Sequence, residues 1–164
     1  MIIELKTVFE IPGYSEEFSG ELESEELALT EGYEMARAAE IKGTVKNCAG
    51  IVTLEYEARF TLGYSCGRCL KECEKEYALK FEHLLVRELS GDNDDGYIVV
   101  EDSALDITNL AAEDIILELP AVLLCRDDCK GLCQKCGKNR NEEECSCESG
   151  YVDPRLQKLR DLLN

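Results

Sequence analysis

The sequence predicts an α+β fold: an antiparallel sheet with a few helices and a cysteine-rich insert near the C-terminus. Three observations predict it. Residues 52–65 alternate apolar and polar side chains almost without interruption, the period of a half-buried strand. Residues 106–120, "DITNLAAEDIILELP", read as a helix stopped by its proline. The stretch "LCRDDCKGLCQKCGKNRNEEECSC" holds six of the ten cysteines.

Taken in order, "IIELKTVFEI" reads as the first strand, ended by Pro12-Gly13. Residues 24–40 read both ways, because a Glu- and Ala-rich composition favours helix while Gly32 interrupts it. "EIKGTVKN" followed by "CAG" is a strand and turn that pairs antiparallel with 52–65. Along that next strand Val52, Leu54, Tyr56, Ala58, Phe60, Leu62 and Tyr64 point one way. Residues 76–86 repeat the pattern on Tyr77, Leu79, Phe81 and Leu85, with a bend or bulge expected in "HLLVREL". "CGRCLKEC" is then the tip of the hairpin between them. "SGDNDDG" is a surface loop, "YIVVED" a short strand, and the helix that follows has Thr108 or Asn109 as its cap. "DPRLQKLRDLL" predicts a last helix with Asp153 as cap, Pro154 at its first position, and Leu156, Leu159, Leu162 and Leu163 on one face.

With 164 residues the chain can bury a real core, so covalent staples are not required by size. Its start lacks the features of a secretory signal, and no apolar run is long enough to cross a bilayer. A cytoplasmic protein with no membrane partner is the expectation. Thiols stay reduced there, so clustered cysteines point to metal rather than to disulfides. The net charge of −17 disfavours wholesale wrapping by RNA, since such binding draws on neutralising phosphates. Acidic faces instead suit a basic partner, or simply a well-solvated surface.

"CQKCGK" is the most informative motif. Two cysteines two residues apart, with glycine after the second, form a knuckle whose turn aims backbone N–H groups at the sulfurs. "CSC" supplies a second pair, so Cys133, Cys136, Cys145 and Cys147 close one tetrahedral zinc site. A second site combines Cys66 and Cys69 of "CGRC" with Cys125 and Cys129 of "CRDDC". Spacing alone also admits Cys66 and Cys69 with Cys133 and Cys136, or Cys73 in place of Cys69. Cys48 and Cys73 are otherwise read as small buried apolar residues. The chain thus divides into a sheet domain over 1–120, a zinc-binding segment over 121–150, and a helix over 151–164 that packs on the rest as one overall domain. In a site made only of cysteines, ligand type does not separate zinc from iron.

Rival chemistries are weaker. Cys66-Gly67-Arg68-Cys69 matches a thiol redox motif, but the flanking pattern is a hairpin rather than the strand-to-helix unit such chemistry uses. His83 is the single histidine and sits among strand residues, which reads as structural. No phosphate cradle, nucleophilic triad or dinucleotide fingerprint occurs. The expectation is no enzyme and no small-molecule substrate.

The order "SCGRCL", "LELP", "KGLCQKCGKNRN", "CSC" and "DPRLQKLRDLL" resembles the YceD family, the large ribosomal RNA subunit accumulation proteins, over about residues 60–164. Arg140 stands where the family usually has Leu, a departure that touches packing rather than ligation. The resemblance implies a non-enzymatic ribosome biogenesis factor supporting synthesis, processing or accumulation of large-subunit (23S) rRNA. Its partner would be a large-subunit precursor, met through rRNA or a basic ribosomal protein. The basic residues near the knuckles, Arg68, Lys71, Lys130, Lys135, Lys138 and Arg140, are the expected contacts; the other reading is that they offset thiolate charge. The alternatives are an acidic module that chaperones a basic ribosomal protein and a CxxC redox protein.

Overall fold

The computed structural model describes residues 1–24, 27, 33–35, 37–88 and 96–147. Two hairpins form its centre. β4 (Ala39–Cys48) runs into β5 (Ile51–Ser65) through Ala49 and Gly50, both at positive φ of 55° and 93°. That two-residue turn has the twist antiparallel strands need. Its corner is held by Asn47, whose Oδ1 accepts from Gly50 N–H at 2.9 Å. β5 then pairs with β6 (Glu72–Val86) in an unbroken register from Ser65–Glu72 to Val52–Leu85. The bulge expected in "HLLVREL" is absent from this pairing. Side chains of Leu84 and Leu85 simply alternate across two faces that are both partly covered.

β2 (Ser15–Leu22) adds to the outer side of β4, and β3 (Tyr33–Met35) pairs with the last residues of β5 beyond the end of β4. The order β2-β4-β5-β6 is antiparallel, but β7 (Tyr97–Val99) joins β6 in parallel, so the sheet is mixed at that edge. The strand expected over "YIVVED" is therefore shorter, because a 3-10 turn at Glu101–Ser103 follows it. A small second sheet pairs β1 (Ile2–Glu4) with β8 (Ala104–Asp106).

The first ten residues are not one strand. β1 gives way to the short helix α1 (Lys6–Glu10), which buries Val8 beside Leu5 against the sheet. The second helix, α2 (Ile107–Glu118), is capped by Asp106 rather than by Thr108 or Asn109: its carboxylate accepts from Thr108 N–H at 3.0 Å. α2 lays Ile107, Ala111 and Ile115 on the face formed by the even residues of β5, every one of which from Val52 to Tyr64 is buried. Of the final helix and the 90–96 loop, residues 148–164 and 90–95 lie outside the described residues, as does most of 25–36. Among the described residues no helix is long and apolar enough to cross a membrane.

Candidate metal centres

The hairpin tip between β5 and β6 and the segment after α2 converge. Beyond Pro120 the chain crosses the end of the sheet. Tyr64 Oη donates to Leu124 O at 3.1 Å, Gly67 N–H donates to Leu123 O at 2.9 Å, and Leu123 is buried. This docking delivers Cys125, and four residues later Cys129, to the tip that carries Cys66 and Cys69. Cys66, Cys69 and Cys129 are buried and Cys125 half-buried, in a small apolar cluster of their own beside Leu124 and Leu132.

The four sulfurs form the first tetrad. Cys66 and Cys129 lie 3.8 Å apart and Cys69 and Cys125 3.6 Å apart. All ten cysteines are free thiols. A tetrahedron with metal–sulfur bonds of about 2.3 Å has sulfur–sulfur edges of about 3.8 Å, so the spacing fits a metal ion. The second tetrad is Cys133, Cys136, Cys145 and Cys147, with Cys136–Cys145 at 3.6 Å and Cys133–Cys145 at 3.3 Å. Within each set the ligand atoms all lie within 4.8 Å of one another. Cys136 is exposed and the others half-buried, so this centre is the more open of the two. The structure thus joins Cys66 and Cys69 to Cys125 and Cys129, not to Cys133 and Cys136, and it leaves Cys73 out. Nor are the two spare cysteines buried: Cys48 is exposed at a turn, and Cys73 is half-buried on β6.

Both tetrads rest on the same local turn. Leu70 N–H donates to Cys66 O at 3.0 Å, and Gly137 N–H donates to Cys133 O at 2.8 Å. Cys66 N–H reaches Lys71 O at 2.9 Å, and Cys133 N–H reaches Lys138 O at 2.8 Å. The residue after the second cysteine has positive φ in each, 59° at Leu70 and 73° at Gly137. Glycine takes that conformation freely; leucine takes it at a cost, and here its side chain is left exposed. The signal was present in the sequence as "CGRCLK" and "CQKCGK", one C-x-x-C-x-K pattern written twice.

The turns also set the acidity of the thiols. Burial pushes Cys66 up, yet the N–H groups of Arg68, Cys125 and Cys69 outweigh it and bring it down to about 6. Cys133 is likewise brought to about 6, by the N–H groups of Cys136 and Lys135 and then by Cys145. Cys129 is lowered too: burial opposes, but Gly131 N–H and the Asn141 amide prevail. Their neighbours move the other way. Burial and the thiols of Cys129, Cys69 and Cys66 push Cys125 up to about 12, and Cys145 and Cys136 push Cys147 up to about 12. Each tetrad therefore pairs a thiol shifted toward ionisation with one held toward its protonated form.

Of the basic residues singled out, Arg68 is exposed but donates to Cys129 O at 2.9 Å, and Lys138 pairs with Glu143 at 2.8 Å. Lys71, Lys130, Lys135 and Arg140 are exposed around the two centres. Two features were not read from sequence. Asn141 reaches the sulfur of Cys129, and Asp114 of α2 accepts from both Tyr56 Oη and His83 Nε2, the latter at 2.7 Å.

A family model described as "Large ribosomal RNA subunit accumulation protein YceD" matches residues 54–163, which take in both tetrads. The chain belongs to the YceD family. Among similar proteins, the uncharacterized YlbN of Bacillus subtilis (strain 168) is 27% identical over 157 residues, 94% of this chain and 91% of YlbN. The uncharacterized Mb2951c of Mycobacterium bovis and Rv2926c of Mycobacterium tuberculosis are each 28% identical over 120 residues, 70% of this chain. The matched region spans 56% of either mycobacterial protein, so those relatives are longer than this YceD-family chain. No solved structure matches.

Proposed function

We propose that this YceD-family chain is a non-enzymatic, cytoplasmic ribosome biogenesis factor that supports synthesis, processing or accumulation of large-subunit (23S) rRNA. The observation that carries the reading is the family match over residues 54–163. The zinc part rests on donor chemistry. Eight cysteine sulfurs in two tetrahedral sets suit a d10 ion of no geometric preference, and two backbone-cradled knuckles suit structural rather than catalytic ligation. When bound, zinc would neutralise and cross-link thiolates; Cys66, Cys69, Cys125 and Cys129 would hold one ion, Cys133, Cys136, Cys145 and Cys147 the other. Four sulfurs would fill the tetrahedral shell of each ion, which supports a docking role over a reacting one.

The exposed Lys71, Lys130, Lys135 and Arg140 ring these centres and supply positive charge on an otherwise acidic molecule, which suits a phosphate-bearing partner. Replacing Lys130, Lys135 and Arg140 together by Ala should lower mature 23S rRNA relative to 16S in a strain that depends on the variant, with the fold intact by circular dichroism. Equal rRNA ratios would reject this contact surface, and unchanged ratios in the full deletion would reject the function. A second reading is favoured by β2, whose exposed Glu16, Glu17 and Glu21 line an edge strand of the sheet. In that reading the partner is a basic ribosomal protein, and a pull-down would keep it after RNase treatment.

A further inference from the structure

The two centres share a residue. Asn141 lies in the loop between Cys136 and Cys145 of the second tetrad, yet its side chain serves the first. Its Nδ2 donates to Cys129 Sγ at 3.3 Å and to Asn139 Oδ1 at 2.8 Å. Its Oδ1 accepts from the Lys130 N–H at 2.8 Å and from an Arg126 guanidinium nitrogen at 2.9 Å. Two donors on the oxygen and two acceptors on the nitrogen fix the amide in one orientation, since a flip would face donor to donor and acceptor to acceptor. The surrounding backbone makes the same connection. Arg140 N–H donates to Gly131 O at 3.0 Å, Leu132 and Asn139 form a bridge, and Leu132 N–H donates to Arg68 O at 3.1 Å.

We propose that Asn141 couples the two metal centres: it is a positioning residue for the first tetrad, presented by the loop whose ends the second tetrad ties down. A tetrathiolate centre with a divalent ion carries two negative charges, and an N–H donated to one sulfur stabilises that charge and fixes the ligand's direction. With the second tetrad unclosed, residues 137–144 lose the restraint at both ends and the amide leaves Cys129 more often. Filling of the second centre therefore strengthens binding at the first. Linkage makes the effect reciprocal, so an ion in the first centre strengthens the second by the same factor.

This inference rests on the two-metal reading above, and titration of the full chain with Co2+, monitored through its sulfur-to-metal absorption and by chelator competition, separates the two. The unaltered chain should take up two ions per chain with positive cooperativity. Asn141→Ala should still take up two, but without cooperativity and with the first centre weakened by about 10- to 100-fold, the range typical of a lost outer partner. Asn141→Asp keeps the oxygen contacts but removes the N–H to sulfur, so its charge-transfer band at the first centre should shift as in the Ala variant. A purely structural role for the side chain would leave that band in place. Cys136→Ser/Cys145→Ser should take up one ion, more weakly than the unaltered first centre, and adding Asn141→Ala should weaken it little further. If the unaltered isotherm persists in Asn141→Ala, or if the losses simply add, the coupling is wrong while two bound ions stand. Should the double serine variant not fold, the Asn141 isotherms alone decide. No uptake by the unaltered chain would instead overturn the metal reading itself.

Discussion

Metal uptake by this chain should depend steeply on pH, and the thiols say how steeply. With an ion in each tetrad, none of the eight sulfurs would carry a proton. In the metal-free state Cys66 and Cys133, both near 6, are already thiolates at pH 7.5. Cys125 is pushed up to about 12 by burial and its neighbouring thiols, and Cys69 is also raised, where the crowding of Cys66 and Cys129 and burial overcome the Lys71 N–H. In the second tetrad Cys147, at about 12, and Cys145 are raised. Each centre must therefore release at least about two protons on binding, or about four per chain. The free state holds the extra protons, so affinity rises with pH and is lost as pH falls. Two protons per ion correspond to about a hundredfold in apparent affinity per pH unit across the neutral range. Chelator competition between pH 6.5 and 8.5, with calorimetry in buffers of different ionisation enthalpy, measures both slope and proton count. A slope near zero would mean that the thiolates are already formed and that the neighbouring sulfurs do not hold each other's protons.

Asp114→Ala should destabilise the metal-loaded protein by about 3 kcal/mol in urea melts, because it strips a carboxylate from two donors, Tyr56 and His83, at a site where Asp114 and His83 side chains are 14% and 22% exposed. Asp114→Asn, which retains one acceptor, should lose about half as much. Gly137→Ala should cost about 1 kcal/mol, since its φ of 73° disfavours a side chain while nothing lies within 4 Å of the added methyl. Gly131→Ala should cost about 2 kcal/mol or more, because the methyl meets Arg68 O at 3.0 Å, the acceptor of Leu132 N–H. Cys48→Ser should alter neither metal stoichiometry nor melting beyond about 0.5 kcal/mol, the residue being exposed and apart from both tetrads.

The long hairpin was legible because β5 is buried along one whole face, so every second residue from Val52 to Tyr64 had to be apolar. The start of the chain was not, because Ile2, Ile3, Leu5, Val8 and Phe9 satisfy a strand and a one-and-a-half-turn helix alike. What decides is tertiary: Leu5 and Val8, three apart, both face the core. The α2 cap failed for a related reason, since Asp106, Thr108 and Asn109 are all good caps and only the β1–β8 pairing fixes where the helix begins. Ligand sets announced themselves through short spacing, but the joining of Cys66 to Cys129 runs across 63 residues, and spacing carries no information at that distance. Asp114 is 31 residues from His83, and Asn141 meets Cys129 only once two knuckles are folded against each other. No local pattern encodes either contact.

The first tetrad closes a ring of chain from Cys66 to Cys129 that contains β6, β7, β8 and α2. An ion there would act as a clasp on a circuit whose ends are distant in sequence, and closing a circuit of that size is an entropic task that local hairpins never face. The β4–β5–β6 meander can zip up from neighbouring residues; the clasp has to wait for the far end to arrive. Depriving newly made chains of metal should then leave the meander assembled and its closing segment adrift, a half-made molecule with its loose end at Cys125–Cys129.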